Sequence, residues 1–116
     1  MTIERHEVAA RMSQIVVHNG VVYLAGQVAM DKAGASVGEQ TQNILDRIDN
    51  HLATAGTDKT KVLSAQIWLS DISTFNEMNE VWDAWVSPGN TPARACVESA
   101  LAAPQFTVEI MVMAAV

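Results

Sequence analysis

The chain of 116 residues fits one domain and leaves no room for a second, so residues 1–116 are expected to form a single unit. With 49% hydrophobic and 17% charged residues it can bury a core, which excludes a disordered chain. Thirteen acidic against seven basic residues give a net charge of −6, which opposes sequence-independent binding to phosphate backbones.

The N-terminal segment MTIERHEVAARMSQ carries charges where a secretory leader needs an unbroken apolar run. The single cysteine excludes an internal disulfide and a multi-cysteine zinc site, and suits a reducing compartment. The longest apolar stretch, near the C-terminus, is interrupted by Glu109 and is too short to span a bilayer. The expectation is a cytoplasmic protein with no membrane partner.

In IVVHNGVVYLAGQV, two β-branched runs flank Asn19-Gly20, a dipeptide that tolerates positive φ at both centres of a type I′ turn. A β-hairpin is predicted there. Gly26 falls within its second strand, where a missing side chain marks a bulge or a close backbone approach. Asp31 to Gly34 reads as a turn, and from Glu39 the apolar period becomes helical through Ile44, Leu45, Ile48, Leu52 and Ala55. Gly56 is the expected stop.

Val62 to Leu69 is the next predicted strand. A second helix follows, with Ser73 or Thr74 as N-cap and Glu77 placed to close a capping box on Thr74. Phe75, Met78, Trp82 and Trp85 form its apolar stripe, and Pro88-Gly89 ends it. Strands over Ala93 to Ala100 and Thr107 to Val116 complete the chain. The order is β-β-α-β-α-β-β, with room for a short extra N-terminal strand: an α+β fold. Two single-faced helices can cover only one face of such a sheet, yet TVEIMVMAAV is apolar on both. Another subunit is the expected cover for the second face.

Little in the chain suggests familiar catalytic machinery. His6, His18 and His51 lack metal-ligand spacing, no Gly-rich phosphate loop is present, and no serine lies in a nucleophile elbow. Glu77, Glu80 and Asp83 read as a solvated helix face. Cys96 has no lysine or histidine in its strand to activate it and reads as a small hydrophobe.

Two charges stand out. Glu109 is the only ionisable residue of the last strand, and Arg94 opens the previous one among apolar neighbours. Charges in a sheet need partners or a function. Were the two strands antiparallel neighbours, Arg94 and Glu109 would approach one another. The alternatives are a structural ion pair and a cleft where the guanidinium fork grips an anion while the carboxylate orients water or a proton.

Around these residues the chain resembles the RidA (YjgF) reactive intermediate deaminase family. The resemblance is carried by Asn90-Thr91-Pro92-Ala93-Arg94-Ala95-Cys96-Val97-Glu98 with Val108-Glu109-Ile110 downstream. Leu24-Ala25-Gly26-Gln27-Val28, Gln42-Asn43-Ile44-Leu45 and the segment from Asp71 to Asn79 extend it over nearly the whole sequence.

The resemblance implies a chorismate-mutase-like fold assembled as a homotrimer, with ligand sites between subunits. It also implies cofactor-independent hydrolysis of 2-imino or 2-enamino acids to 2-oxo acids and ammonia. Arg94 would bind the substrate carboxylate, Cys96 and Gly26 would present backbone groups to the reacting centre, Asn79 would join the binding set, and Glu109 would hold the attacking water. Where deaminating members have a tyrosine and a serine, this chain has Met12 and Ala25. That difference leaves a non-catalytic, small-carboxylate-binding trimer as the alternative.

Overall fold

A computed structural model describes residues 2–116. Its strands are β1 (Glu4–Val8), β2 (Ser13–His18), β3 (Val21–Leu24), β4 (Gln27–Val28), β5 (Val62–Leu69), β6 (Ala93–Glu98) and β7 (Val108–Ala115), and its helices are α1 (Val37–Thr54) and α2 (Phe75–Trp85). The seven strands form one mixed sheet in the order β1-β2-β3-β7-β5-β6, with β4 also paired to β7. The extra N-terminal strand is therefore present, as β1.

The predicted hairpin joins β2 to β3. Asn19 at φ 53° and Gly20 at φ 76° occupy the left-handed region that a type I′ turn demands. The strand does not run through Gly26 as predicted. It stops at Leu24 and resumes as the two-residue β4, which pairs with β7.

Helix α1 begins two residues before the predicted start. Ser36 Oγ accepts a hydrogen bond from the Glu39 amide (3.2 Å), and Glu39 adds a negative charge to the first turn. The predicted capping box on α2 does not form. Thr74 Oγ1 donates to the Asp71 carbonyl, and Asp71 caps the preceding turn by accepting from the Ser73 amide. Glu77 instead accepts from the Gly38 amide of α1 at 2.8 Å. A carboxylate that local rules assign to its own helix thus serves the N-terminus of the neighbouring one.

The core lies between the helices and one face of the sheet. Ile44, Leu45, Ile48 and Leu52 of α1 and Met78, Trp82 and Trp85 of α2 meet Ile67 and Leu69 of β5 and the alternate residues Val108, Ile110, Val112 and Ala114 of β7. Each fully buried large aliphatic side chain contributes about 1.5–3 kcal/mol. Buried Gln40 ties loops to this core: its amide donates to the carbonyls of Ala35 and Gln105, and its oxygen accepts from the Thr107 amide.

The opposite face carries no helix. Tyr23, Met111 and Met113 lie there, 43%, 39% and 37% exposed. At the sheet's end β1 contributes no core side chain, and Glu7 within it holds a left-handed φ of 52°. That conformation costs about 1–2 kcal/mol for a residue with a side chain.

Candidate functional site

Strand β6 does not pair with β7. Both flank β5, β6 in parallel and β7 antiparallel, so the antiparallel pairing that would have joined Arg94 to Glu109 is absent. Arg94 sits opposite Ala65 and Glu109 opposite Trp68. Two strand spacings and three residues of offset put their backbones about 14 Å apart. Their side chains also point to opposite faces. Arg94 shares the helix side with Ala65, whereas Glu109 lies between the core residues Val108 and Ile110 and so faces the helix-free side. Sequence spacing cannot reveal this, because the parallel crossover through α2 places β6 beside β5, on the side away from β7.

The nominated residues therefore form two groups. In the first, Arg94 Nη1 donates to Asn79 Oδ1 at 2.8 Å. The guanidinium lies over the rings of Trp82 (5.3 Å) and Phe75 (5.7 Å), both presented by α2 one helical face from Asn79. A planar cation held by one hydrogen bond and two aromatic faces has a fixed orientation. Its remaining donors make no hydrogen bond to the described residues. The sequence pattern places Phe75 and Trp82 only in the helix's apolar stripe; their second use depends on β6 lying beside α2. Cys96, two residues along the same face, packs against the core. Burial pushes its thiol above the ordinary range more than Arg94 pulls it down, so it is a protonated thiol at neutral pH.

The second group is Glu109 with Gly26. The break between β3 and β4 brings the Gly26 backbone against the Glu109 carboxyl. A Cβ there would overlap Glu109 Oε2 and lie 3.1 Å from Cδ. Close approach, not a positive φ, is why glycine occupies this position. Glu109 makes no hydrogen bond or ion pair with any described side chain. Burial raises its pKa above the ordinary carboxylate value. An acid with a raised pKa and open valences suits the transfer of a proton to or from a bound molecule. Ala25 sits beside Gly26, its amide donating to the Gln14 carbonyl, and Met12 is exposed in the β1–β2 turn. Neither side chain supplies a hydroxyl to this region.

On the helix-free face a cavity of about 310 Å³ is lined by Ser64, Gln66, Ala95, Met111 and Met113 and reaches Arg94 at the β6 edge, while Glu109 is not among its lining residues. No helix of the described residues is long and apolar enough to cross a membrane.

Comparison with known proteins gives a consistent picture. The model of the family described as endoribonuclease L-PSP matches residues 2–116. A RutC family protein of Haemophilus ducreyi is 42% identical over 114 residues, covering 98% of this chain and 97% of its own. The RutC family protein YoaB of Escherichia coli is 41% identical over 116 residues and covers all of both chains. Among solved structures, a YjgF family member from Neisseria meningitidis superposes with a TM-score of 0.96 at 45% identity, covering 99% of this chain and 95% of that one.

Proposed function

This chain belongs to the endoribonuclease L-PSP family, which includes the RutC and YjgF proteins, and from that premise we propose that it hydrolyses 2-imino or 2-enamino acids to 2-oxo acids and ammonia without a cofactor. The observation that carries this reading is the pair of half-sites: an oriented guanidinium at Arg94 and a partnerless, desolvated carboxylate at Glu109.

Arg94 binds the substrate carboxylate through its free donors, and Asn79 fixes the guanidinium. The reacting species is the iminium, formed when an imine takes a solvent proton on nitrogen or an enamine takes one at C3. Glu109 takes a proton from water as the water oxygen attacks C2 of this iminium. Glu109 then returns that proton to the nitrogen of the neutral carbinolamine. The C–N bond breaks as the carbinol hydroxyl gives its proton to the Glu109 carboxylate, the 2-oxo acid forms and ammonia departs, carrying the proton from Glu109 away as ammonium. In water the amine is the better leaving group once protonated, so one carboxylate suffices as base and then acid.

Arg94 and Glu109 of one chain face opposite sides of the sheet, so a single chain cannot present both to one small molecule. We therefore assign each site to two copies, one giving Arg94, Asn79 and Cys96 and the next giving Gly26 and Glu109. The exposed face of Tyr23, Met111 and Met113 supplies the surface for association, and a closed ring of three is the assembly we propose. The single unpaired cysteine fits a cytoplasmic setting.

Sedimentation equilibrium is expected to return a trimer mass at micromolar concentration; a monomer across that range excludes the shared site. Subunit mixing is the sharper check. Inactive Arg94→Ala and Glu109→Gln proteins, refolded together, should regain activity, because some interfaces then carry both intact halves. No regain would mean that the two residues do not meet across a subunit interface.

The reaction is tested by generating 2-aminoacrylate in situ and following ammonia release with and without the protein. Burial raises the Glu109 pKa, so kcat/KM should fall on an acid limb lying above the ordinary carboxylate pKa of 4.5. The sign for stability is opposite to that of a paired carboxylate. A raised folded pKa stabilises the fold below pH 4.5, and that contribution is lost as pH rises through the folded pKa. Glu109→Gln should consequently raise the melting temperature at pH 7, with the gain disappearing below pH 4.5. A variant that melts lower at pH 7 would mean the carboxylate has a stabilising partner.

The non-catalytic alternative rests on Met12 and Ala25, which leave the region of Gly26 without hydroxyls. Carboxylate binding at Arg94 with no ammonia release over background would establish it.

A further inference from the structure

A second cleft lies between β1 and α1, apart from Arg94 and Glu109. Its volume is about 230 Å³, and it is lined by Glu7, Arg47, Asn50, His51 and Thr54. The four α1 residues fall at spacings of three, four and seven, on one helix face, and β1 provides Glu7 as the opposite wall.

His51 is only 7% exposed. Its Nδ1 lies 3.1 Å from Glu7 Oε2 and donates to it, while its buried Nε2 has no partner among the described residues. Glu7 adopts its left-handed backbone at the point where it makes this contact. Two unfavourable features, a half-satisfied buried imidazole and a strained backbone, thus converge on holding one carboxylate at one place. Outliers of this kind concentrate at binding and switching sites.

Arg47 carries the opposite charge into the same cleft. Its Nε donates to Gln27 Oε1 at 3.3 Å, and its Nη groups make no hydrogen bond to the described residues. Arg47 and Glu7 line one cavity yet form no ion pair with each other. An unclosed pair of opposite charges flanking a small polar cavity complements a molecule that itself carries both signs. A simple anion would be repelled by Glu7, and a simple cation by Arg47.

We propose that the β1–α1 cleft is a second ligand site, for a zwitterionic α-amino acid whose carboxylate pairs with Arg47 and whose ammonium pairs with Glu7. The Asn50 amide and Thr54 hydroxyl lie on the same helix face, within the lining, to meet a small side chain. This inference stands independently of the proposed hydrolysis, since it uses none of its residues.

Calorimetric titration at pH 7.5 with glycine, L-serine and L-leucine tests it, with acetate and ethylamine as single-charge controls. At least one amino acid is expected to bind, about tenfold or more tighter than either control. Glu7→Gln keeps an acceptor for His51 Nδ1 but removes the charge, and should weaken binding about tenfold or more; Arg47→Met should do the same. If Arg47→Met fails to fold, Glu7→Gln decides alone. Amide shifts of Asn50, His51 and Thr54 on titration locate the ligand. Binding that persists unchanged in Glu7→Gln, that vanishes in Arg94→Ala, or that is matched by acetate would overturn the proposal, as would the absence of any amino-acid binding.

Discussion

Arg94→Ala should lose affinity for 2-oxo carboxylates such as pyruvate by about a hundredfold or more, because two charge-assisted hydrogen bonds to the ligand disappear together. Arg94→Lys should recover only part of that affinity, since an ammonium cannot reproduce the planar fork or its seating on Trp82 and Phe75. The fold should survive both changes. Arg94 has no carboxylate partner to strand; what is lost is the hydrogen bond to Asn79 and the aromatic contacts, about 1–2 kcal/mol in all. Titration calorimetry and thermal melts with and without pyruvate separate the possibilities. A steep fall in melting temperature with the ligand shift intact would make Arg94 a structural residue. Asn79→Ala should act through Arg94, weakening pyruvate binding less than Arg94→Ala while leaving the Arg94→Ala protein no weaker when the two are combined.

Gly26→Ala should cut kcat by about a hundredfold while leaving the melting temperature nearly unchanged. The added methyl occupies the space of Glu109 Oε2. The carboxylate is the far end of a flexible side chain, so it can swing aside at small cost to the fold. Gly26 is also not in the left-handed region, so alanine introduces no backbone strain and reduces the freedom of the unfolded chain. Catalysis tolerates such a shift poorly: displacing a reacting group by about 1 Å costs on the order of a hundredfold. Ammonia release under substrate saturation, measured beside a thermal melt, gives both readings. Full activity in Gly26→Ala would show that the position of the Glu109 carboxyl does not matter to the reaction. A large stability loss would show that the methyl displaces backbone instead.

The two halves of the proposed site differ in how they could be found. Arg94 and Glu109 were visible because each is a charge in an apolar strand, a pattern that ordinary sheet burial does not produce. Gly26 was visible as a glycine inside a strand pattern, and its close contact with Glu109 is the physical reason. The aromatic seat of Arg94 was not visible. Phe75 and Trp82 satisfy the helical period as ordinary core residues, and only the placement of β6 beside α2 gives them a cation to face. His51 carried no signal either, because its partner Glu7 lies 44 positions away and reaches it through a backbone conformation that propensity does not foresee.

What the sequence by itself determined was local and periodic. Asn19-Gly20 specified the hairpin, apolar spacing specified both helices, β5 was located residue for residue, and charge patterning nominated the candidate site residues. These succeed because turn sterics, helical period and the cost of burying charge act over a few residues. Tertiary structure alone decided which strands became neighbours. The crossover through α2 set β6 parallel to β5 and left β5 between Arg94 and Glu109. It likewise turned Glu77 from its own helix to the amide of Gly38. Strand order is fixed by how the helices and sheet jointly bury their apolar faces, a balance summed over the whole core, so no short segment records it.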